Sequence, residues 1–256
     1  MKRNTRDKES LEITYEDDWI IVAEKPSGLL TMSTGRPGEV TAYSMLTEYV
    51  RSTYGLASRN PSGKSAGHLF IVHRLDRDTS GLLVFAKDED TKMALQENWN
   101  EVVLERKYIA ILEGDIEDEE GWIETWNYES PKSMKVHCYP VRKTDDPDRP
   151  PRKDWQYASS HCRRLRTATL DGHTYTEVEF ELETGRKNQI RAHSHWIGHP
   201  VAGDRKYGAQ TNPFGRLALH AKTLSFIHPW TGKELKFTAA LPRSFKRIHQ
   251  LPFLAR

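Results

Sequence analysis

Ile71-Val72-His73-Arg74-Leu75-Asp76-Arg77-Asp78-Thr79-Ser80-Gly81-Leu82-Leu83-Val84-Phe85-Ala86 sets two short apolar runs on either side of a charged bend. Continuous apolar runs bounded by polar residues are the pattern of strands covered on both faces. The chain between them must turn at the edge of a core, which puts Asp76 on a loop among basic neighbours. An Asp there has two readings. Its oxygens can accept turn or cap hydrogen bonds and hold the backbone, or it can offer a carboxylate to something bound at that edge. The run alone leaves both open.

Working outward, Ile13 to Ala23 predicts a strand, followed by the turn Pro26-Ser27-Gly28. Thr41 to Tyr54 has helical apolar spacing, with Thr41 or Ser44 as its cap. Lys87 to Trp99 predicts a second helix, with Asp88 near its start and Met93, Leu95 and Trp99 as its apolar face. Lys107 to Leu112 predicts a buried strand, Glu113 to Glu124 an acidic loop, and Pro147 to Pro151 a break. Val178, Phe180 and Leu182 alternate with Glu177, Glu179 and Glu181, the pattern of a half-solvated strand in an antiparallel sheet. Strands outnumber helices without βαβ regularity, so the expected class is α+β, a mixed, mostly antiparallel sheet with flanking helices. One domain is expected from 11 to 245, after a flexible segment 1–10 and before a tail 246–256.

The 256 residues allow one large domain or two small ones. No apolar stretch reaches membrane-spanning length, and Met1-Lys2-Arg3-Asn4-Thr5-Arg6 leads into charge, so a cytoplasmic protein with no membrane partner is the default. Cys138 and Cys162 are too few for a zinc ribbon or a disulfide scaffold. The net charge is +2, but residues 131–166 hold ten basic and four acidic side chains, +6, which leaves −4 for the rest. Such a stretch suits either a phosphate-backbone footprint or a solvated loop.

The run from His73 to Leu83 resembles the signature of the RluA-type pseudouridine synthases, which isomerise uridine in RNA. The resemblance continues in Tyr15 to Leu29 with its Lys25-Pro26-Ser27-Gly28 turn, in Glu105-Arg106-Lys107-Tyr108, and in Thr184-Gly185-Arg186-Lys187-Asn188-Gln189-Ile190-Arg191-Ala192-His193. It ends in Gly198-His199-Pro200-Val201-Ala202-Gly203-Asp204 and Leu219-His220-Ala221 with His228-Pro229. The blocks stand in the family's order between residues 12 and 242. What the resemblance implies is a bent sheet with a central active-site cleft and Asp76 as the catalytic carboxylate. It implies Arg191 as the guanidinium partner of that carboxylate and Tyr108 as the aromatic against the uracil, with a hydroxyl available for the C5 proton. Arg74 would fill the place of the extruded base or hold a phosphate, and Leu219 would pack on the uracil. A core leucine is the other reading of Leu219, and packing or a backbone bond the other reading of His73. The family's N-terminal S4 module is not expected, since about a dozen residues precede the first strand. Expected partners are RNA alone, with ribosomal RNA favoured and transfer RNA the alternative, and the protein is expected to be a monomer.

The chemistry fits these residue types. The N1–C1′ bond breaks, the uracil turns while bound, and C5 bonds to C1′. A carboxylate can attack C1′ or take a proton from C2′, and the sequence does not choose. Either role needs an ionised carboxylate in a cleft, which a guanidinium favours by bidentate hydrogen bonding. No redox change or hydrolysis is involved, so no cofactor is expected, and no metal at His193, His195 and His199 despite their spacing. Asn188 stands where the family usually has His, and reads as support for a strand carrying Arg191. Two other function classes remain. A catalytically silent RNA-binding protein of the same fold is disfavoured by the presence of Asp76, Tyr108 and Arg191 together. A retaining glycosidase would need a close carboxylate pair, and the basic neighbours of Asp76 and Asp78 suit a polyanion better.

Overall fold

The stretch from Ile13 to Ala23 is two strands, β1 (Glu12–Glu16) and β2 (Ile20–Lys25), folded as an antiparallel pair. Asp17 makes the bend: its Oδ1 accepts from the amides of Trp19 and Ile20, both at 2.8 Å. A short acidic side chain that bonds the backbone two and three residues on is enough to reverse an otherwise strand-like run. These elements belong to a computed structural model that describes residues 11–55, 67–97 and 99–252. The segment 1–10, expected to be flexible, lies outside the described residues.

The chain divides into two units, one running to Val102 and including Ile227–Glu234, the other holding Val103–Phe226 and the residues from Leu235 on. In the first unit β3 (Phe70–Ile71) and β2 both pair antiparallel with β4 (Ser80–Ala86). All seven residues of β4 are buried, as the continuous apolar run requires. Helix α1 (Ala42–Tyr54) starts at Thr41, whose side chain and that of Ser44 cap each other's backbone amides at 3.0 and 2.9 Å. This capping box satisfies two amides that the helix itself leaves open, and the i, i+4, i+8 set Ala42, Leu46 and Val50 is buried.

The second expected helix is shorter. Helix α2 (Glu89–Glu97) is capped by Asp88, whose Oδ1 accepts from Thr91 N at 2.8 Å. It turns Thr91 and Leu95 inward, while Met93 is exposed. Four-residue spacing selects one face, and Met93, two positions from each, falls on the other. Trp99 opens a separate short helix, α3 (Trp99–Val102).

The second unit is a sheet in the order β10-β5-β9-β8-β6-β7, whose successive pairs are antiparallel. Its strands are β5 (Val103–Glu113), β6 (Glu120–Glu129), β7 (Val136–Pro140), β8 (Trp155–Leu170), β9 (His173–Leu182) and β10 (Leu219–Ile227), with β11 (Glu234–Thr238) beside β10. Helix α4 (Gln189–Trp196) and the short α5 (Lys246–His249) complete it. The segment expected as an acidic loop is a loop only from Gly114 to Glu119, because Glu113 ends β5 and Glu120 begins β6 opposite Arg163. The alternation in β9 holds for buried Val178 and Phe180, and Glu179 meets Arg163 at 2.9 Å. Glu177 departs from it: it is buried and bonds His249 of α5 at 2.9 Å. The segment from 246, expected as a tail, thus begins as a helix whose Ile248 joins the core with Phe245, Ile109 and Phe180.

Few helices beside mostly antiparallel strands make this the α+β class expected, and among the described residues Leu30 and Thr41 form an isolated parallel bridge. Among the described residues no helix is long and apolar enough to cross a membrane.

Candidate active site

Asp76 sits half-buried on the loop between β3 and β4, with exposed Arg74 two residues before it and buried Leu75 between them. Thr31 clamps Leu75 from both sides: its Oγ1 donates to Leu75 O at 2.9 Å and accepts from Leu75 N at 3.2 Å. Thr79 N donates to Asp76 O at 3.2 Å. On the far side Gly28 N donates to Arg77 O at 2.9 Å, Arg77 Nε returns a bond to Gly28 O, and Ser27 Oγ donates to Asp78 O at 2.7 Å. Gly28 has φ +86°, a conformation a side chain would strain. The Lys-Pro-Ser-Gly turn is therefore the cradle of the Asp76 loop. His73 takes the packing role: its Nε2 accepts from Val84 N at 3.2 Å, and its ring lies 5.0 Å from that of Trp99.

Lys25, which the sequence marked only as part of the turn, is fully buried. Its ammonium donates to the carbonyls of Pro26, Leu29 and Arg77 at 2.9, 2.7 and 3.0 Å. All three N–H donors of a lysine are used in this way, and they join the turn to the Asp76 loop. The signal was a lysine ending a buried strand directly before Pro-Ser-Gly.

In the second unit Arg191 lies on helix α4, not on the expected strand. Its guanidinium is held by Asp204 in a two-pronged pair, Nε to Oδ2 at 2.6 Å and Nη2 to Oδ1 at 2.8 Å. Nη1 donates to Asn188 Oδ1 at 3.0 Å, and the ring of buried Tyr207 lies 5.1 Å from the guanidinium carbon. Asp204 is presented by Gly203, where a Cβ would come within 2.3 Å of Arg216 O. Asn188 begins α4 in the left-handed region at φ +51°, and its amide donates to Tyr207 Oη at 3.3 Å. Asn tolerates that conformation better than most residues. The fork geometry fixes the guanidinium plane. Asp204→Asn, which keeps the shape and removes the charge, should cost about 2 kcal/mol of stability. Denaturant unfolding reads the loss, and an unchanged midpoint would refute the bracing role.

Tyr108, half-buried on β5, lies opposite Phe180 of β9 and Ala221 of β10, and Leu219 pairs two positions on with Ala110. Partners directly across share a face, so Tyr108 and Leu219 lie on one side of the sheet. Cys162, opposite Phe180, and Ser160 two positions before it share that side, and α4 packs there through Gln189 and His193 bonded to Ser160. Leu219 is buried in the core cluster.

The three histidines go separate ways. His193 bonds Thr125 at 2.9 Å and Ser160 at 3.0 Å, His195 lies edge-on to Tyr207, and His199 Nδ1 meets Glu113 O at 2.8 Å. Among the described residues no three His, Cys, Asp or Glu gather as metal ligands would. Burial pushes His193 down to about 4, so the fold holds it neutral. The unfolded chain then binds the extra proton below its usual value of about 6.5. Stability from this group is full above pH 6.5 and lost as pH falls toward 4, by up to about 1.4 kcal/mol per pH unit. His193→Gln should flatten the stability profile between pH 6.5 and 5, and an unchanged slope would refute this source.

The basic stretch 131–166 runs through β7, the connection 141–154 and most of β8. Its last three arginines are engaged by the unit itself: Arg163 with Glu179, Arg164 with Ile116 O and Glu119, and Arg166 with Leu251 O. Lys135 is drawn in as well, its ammonium 5.1 Å from the centre of the Tyr207 ring and 3.4 Å from His195 Nε2, so the outward footprint narrows to the other six basic residues from Lys132 to Lys153.

The family described as RNA pseudouridylate synthase matches residues 19–196, a span that holds Asp76, Tyr108 and Arg191. The chain is 30% identical over 255 residues to ribosomal large subunit pseudouridine synthase D of Xanthomonas campestris, covering 93% of this chain and 68% of that one. It is also 30% identical over 253 residues to tRNA pseudouridine synthase C of Vibrio parahaemolyticus, covering 93% of each. Among solved structures, human RNA Pseudouridylate Synthase Domain Containing 4 is similar with a TM-score of 0.70 at 26% identity, over 93% of both chains.

Proposed function

The chain belongs to the RNA pseudouridylate synthase family, and from that premise we propose that Asp76 is the carboxylate on which its conversion of uridine to pseudouridine in RNA depends. The observation that carries this assignment is the cradle: a half-buried carboxylate on a loop tied at Leu75, Arg77 and Asp78 to a separate turn. A structural Asp needs no such support, whereas a reacting group must be held against recoil and solvent. In this reading Asp76 attacks C1′ or removes the C2′ proton. Arg191 is the cation of the same reaction by the family's motif, and Tyr108 faces the uracil and assists loss of the C5 proton after C5–C1′ bonding. Arg74, exposed on the same loop, enters the gap left when the nucleotide is extruded, at a cost of a few kcal/mol. Leu219 packs beside the uracil. No cofactor is required, and the protein acts as a cytoplasmic monomer.

Structured ribosomal RNA is put first as substrate. The likeness to a synthase named for transfer RNA along 93% of both chains is the specific observation behind the second reading. Mapping pseudouridine by chemical labelling and primer extension, on unmodified RNAs of both kinds, separates them: a new stop in ribosomal RNA supports the first, a stop in transfer RNA replaces it.

The basic residues from Lys132 to Lys153 should add salt-dependent affinity, because each neutralised phosphate releases counterions. Replacing Arg142, Lys143 and Lys153 by Gln should reduce the slope of log K against log salt by about 2, measured by filter binding from 50 to 200 mM salt. An unaltered slope would remove this segment from the RNA contact.

A further inference from the structure

On the side of the sheet away from α4, the outer strands of the second unit carry an aromatic face. The register Trp126 to Tyr139 between β6 and β7, with Trp126 to Tyr157 and Tyr128 to Trp155 between β6 and β8, puts five rings on that side. Trp126 is buried, and its Nε1 donates to Asp145 Oδ2 at 2.8 Å. Tyr139 on the edge strand β7 is 36% exposed. Its ring lies flat against Trp155, centroids 4.3 Å apart and planes 16° from parallel, and the guanidinium carbon of Arg152 is 5.1 Å from the Trp155 ring.

The two stacked rings bracket the connection 141–154. Between Arg142 and Lys153 five basic residues outnumber three acidic ones. Of those acids, Asp145 is engaged by Trp126 and by the Arg142 amide, and Asp146 faces Arg149 at 3.7 Å. A stacked aromatic pair closing a loop is sufficient to hold that loop. It does not account for an exposed tyrosine ring on an edge strand, stacked on a tryptophan that a guanidinium also approaches, next to a connection with surplus positive charge.

We propose that Tyr139, Trp155 and Arg152 form a stacking platform for an unpaired base of the RNA substrate, with Arg142, Lys143 and Lys153 on the neighbouring phosphates. This rests on the chain acting on RNA. Every base has a π-face, so an aromatic ring beside a cation binds single strands with little sequence preference. Trp155 already fixes the Tyr139 ring, so little freedom remains to be lost on binding. Bases within a duplex offer no free face, so the platform selects loops and single-stranded flanks.

The test is binding of a fluorescently labelled 12-nucleotide single-stranded RNA, and of the same sequence as a duplex, to the full chain by anisotropy. Tyr139→Leu should weaken single-strand binding roughly tenfold at every salt concentration, leaving the salt slope and the duplex affinity unchanged, while Tyr139→Phe binds as the original. Arg152→Gln, at an exposed position that needs no repacking, should weaken the single strand about threefold and serves if Tyr139→Leu lowers the unfolding temperature. Equal binding of single strand by the Tyr139→Leu and Arg152→Gln proteins, or an equal loss on duplex, overturns the platform. Pseudouridine formation by the same preparations keeps the two readings apart. Pseudouridine formed in unmodified ribosomal or transfer RNA with no dependence of binding on Tyr139 or Arg152 rejects the platform alone, and Tyr139-dependent binding with turnover retained by Asp76→Asn rejects the Asp76 assignment alone.

Discussion

Asp76→Asn should form no detectable pseudouridine, a loss of about 10⁴-fold or more in single-turnover rate, while RNA binding stays within about twofold. The substitution keeps the shape of a half-buried side chain on a loop whose fixed points are backbone groups: Leu75 held by Thr31, Arg77 O by Gly28 N, and Asp78 O by Ser27. None of those bonds uses the Asp76 carboxylate, so the anchoring of the loop survives the substitution. What changes is chemistry, since an amide can neither attack C1′ nor accept a proton from C2′ at neutral pH. Turnover near the original rate would reject the assignment. Loss of turnover together with loss of binding or of folding would instead make Asp76 a structural residue, the other reading its sequence position allows.

Lys25→Met should destabilise the first unit strongly. Methionine matches the length and removes all three donors, so the carbonyls of Pro26, Leu29 and Arg77 lose charged partners in a fully buried place. Hydrogen bonds to charged groups contribute about 1.5–3 kcal/mol each, and they are not additive. Allowing for partial collapse, the expected cost is about 3–5 kcal/mol, read by urea unfolding. The ammonium touches the backbone of the loop and is a positioning residue, so in protein that stays folded at low temperature kcat should fall more than KM rises. Lys25→Arg keeps the charge but not the compact three-way geometry and should lie between. Equal stability of Lys25→Met and the original would show that the turn holds the loop without the ammonium.

Local chemistry explains which elements were legible. The capping box at Thr41 and Ser44 is written in adjacent residues, and so is the buried run of β4. The division of Ile13 to Ala23 into two strands was not, because Asp17 interrupts by hydrogen bonds that apolar patterning does not record. Arg191 was expected on a strand. The Gln-Ile-Arg-Ala-His run has no strong periodicity, and a left-handed Asn188 turned it into the start of α4. The acidic stretch read as a loop by its charge, yet Glu120 joins β6 because a strand with Arg163 lies opposite.

By itself the sequence determined the α+β class, the placing of Asp76 on a bend at the edge of a core, and the set of chemical groups available. Periodicity, caps and turn residues act over a few positions and survive in a linear reading. Only the tertiary structure decided which partner each charge takes. Lys25 reaches a carbonyl 52 residues away, Arg191 is held by a carboxylate 13 residues on, and Arg163, Arg164 and Arg166 are drawn from the basic stretch into the unit's own bonds. Electrostatic and hydrogen-bond energies fall off within a few ångströms in solvent, so the outcome depends on which groups folding brings together, and separation along the chain carries no record of that.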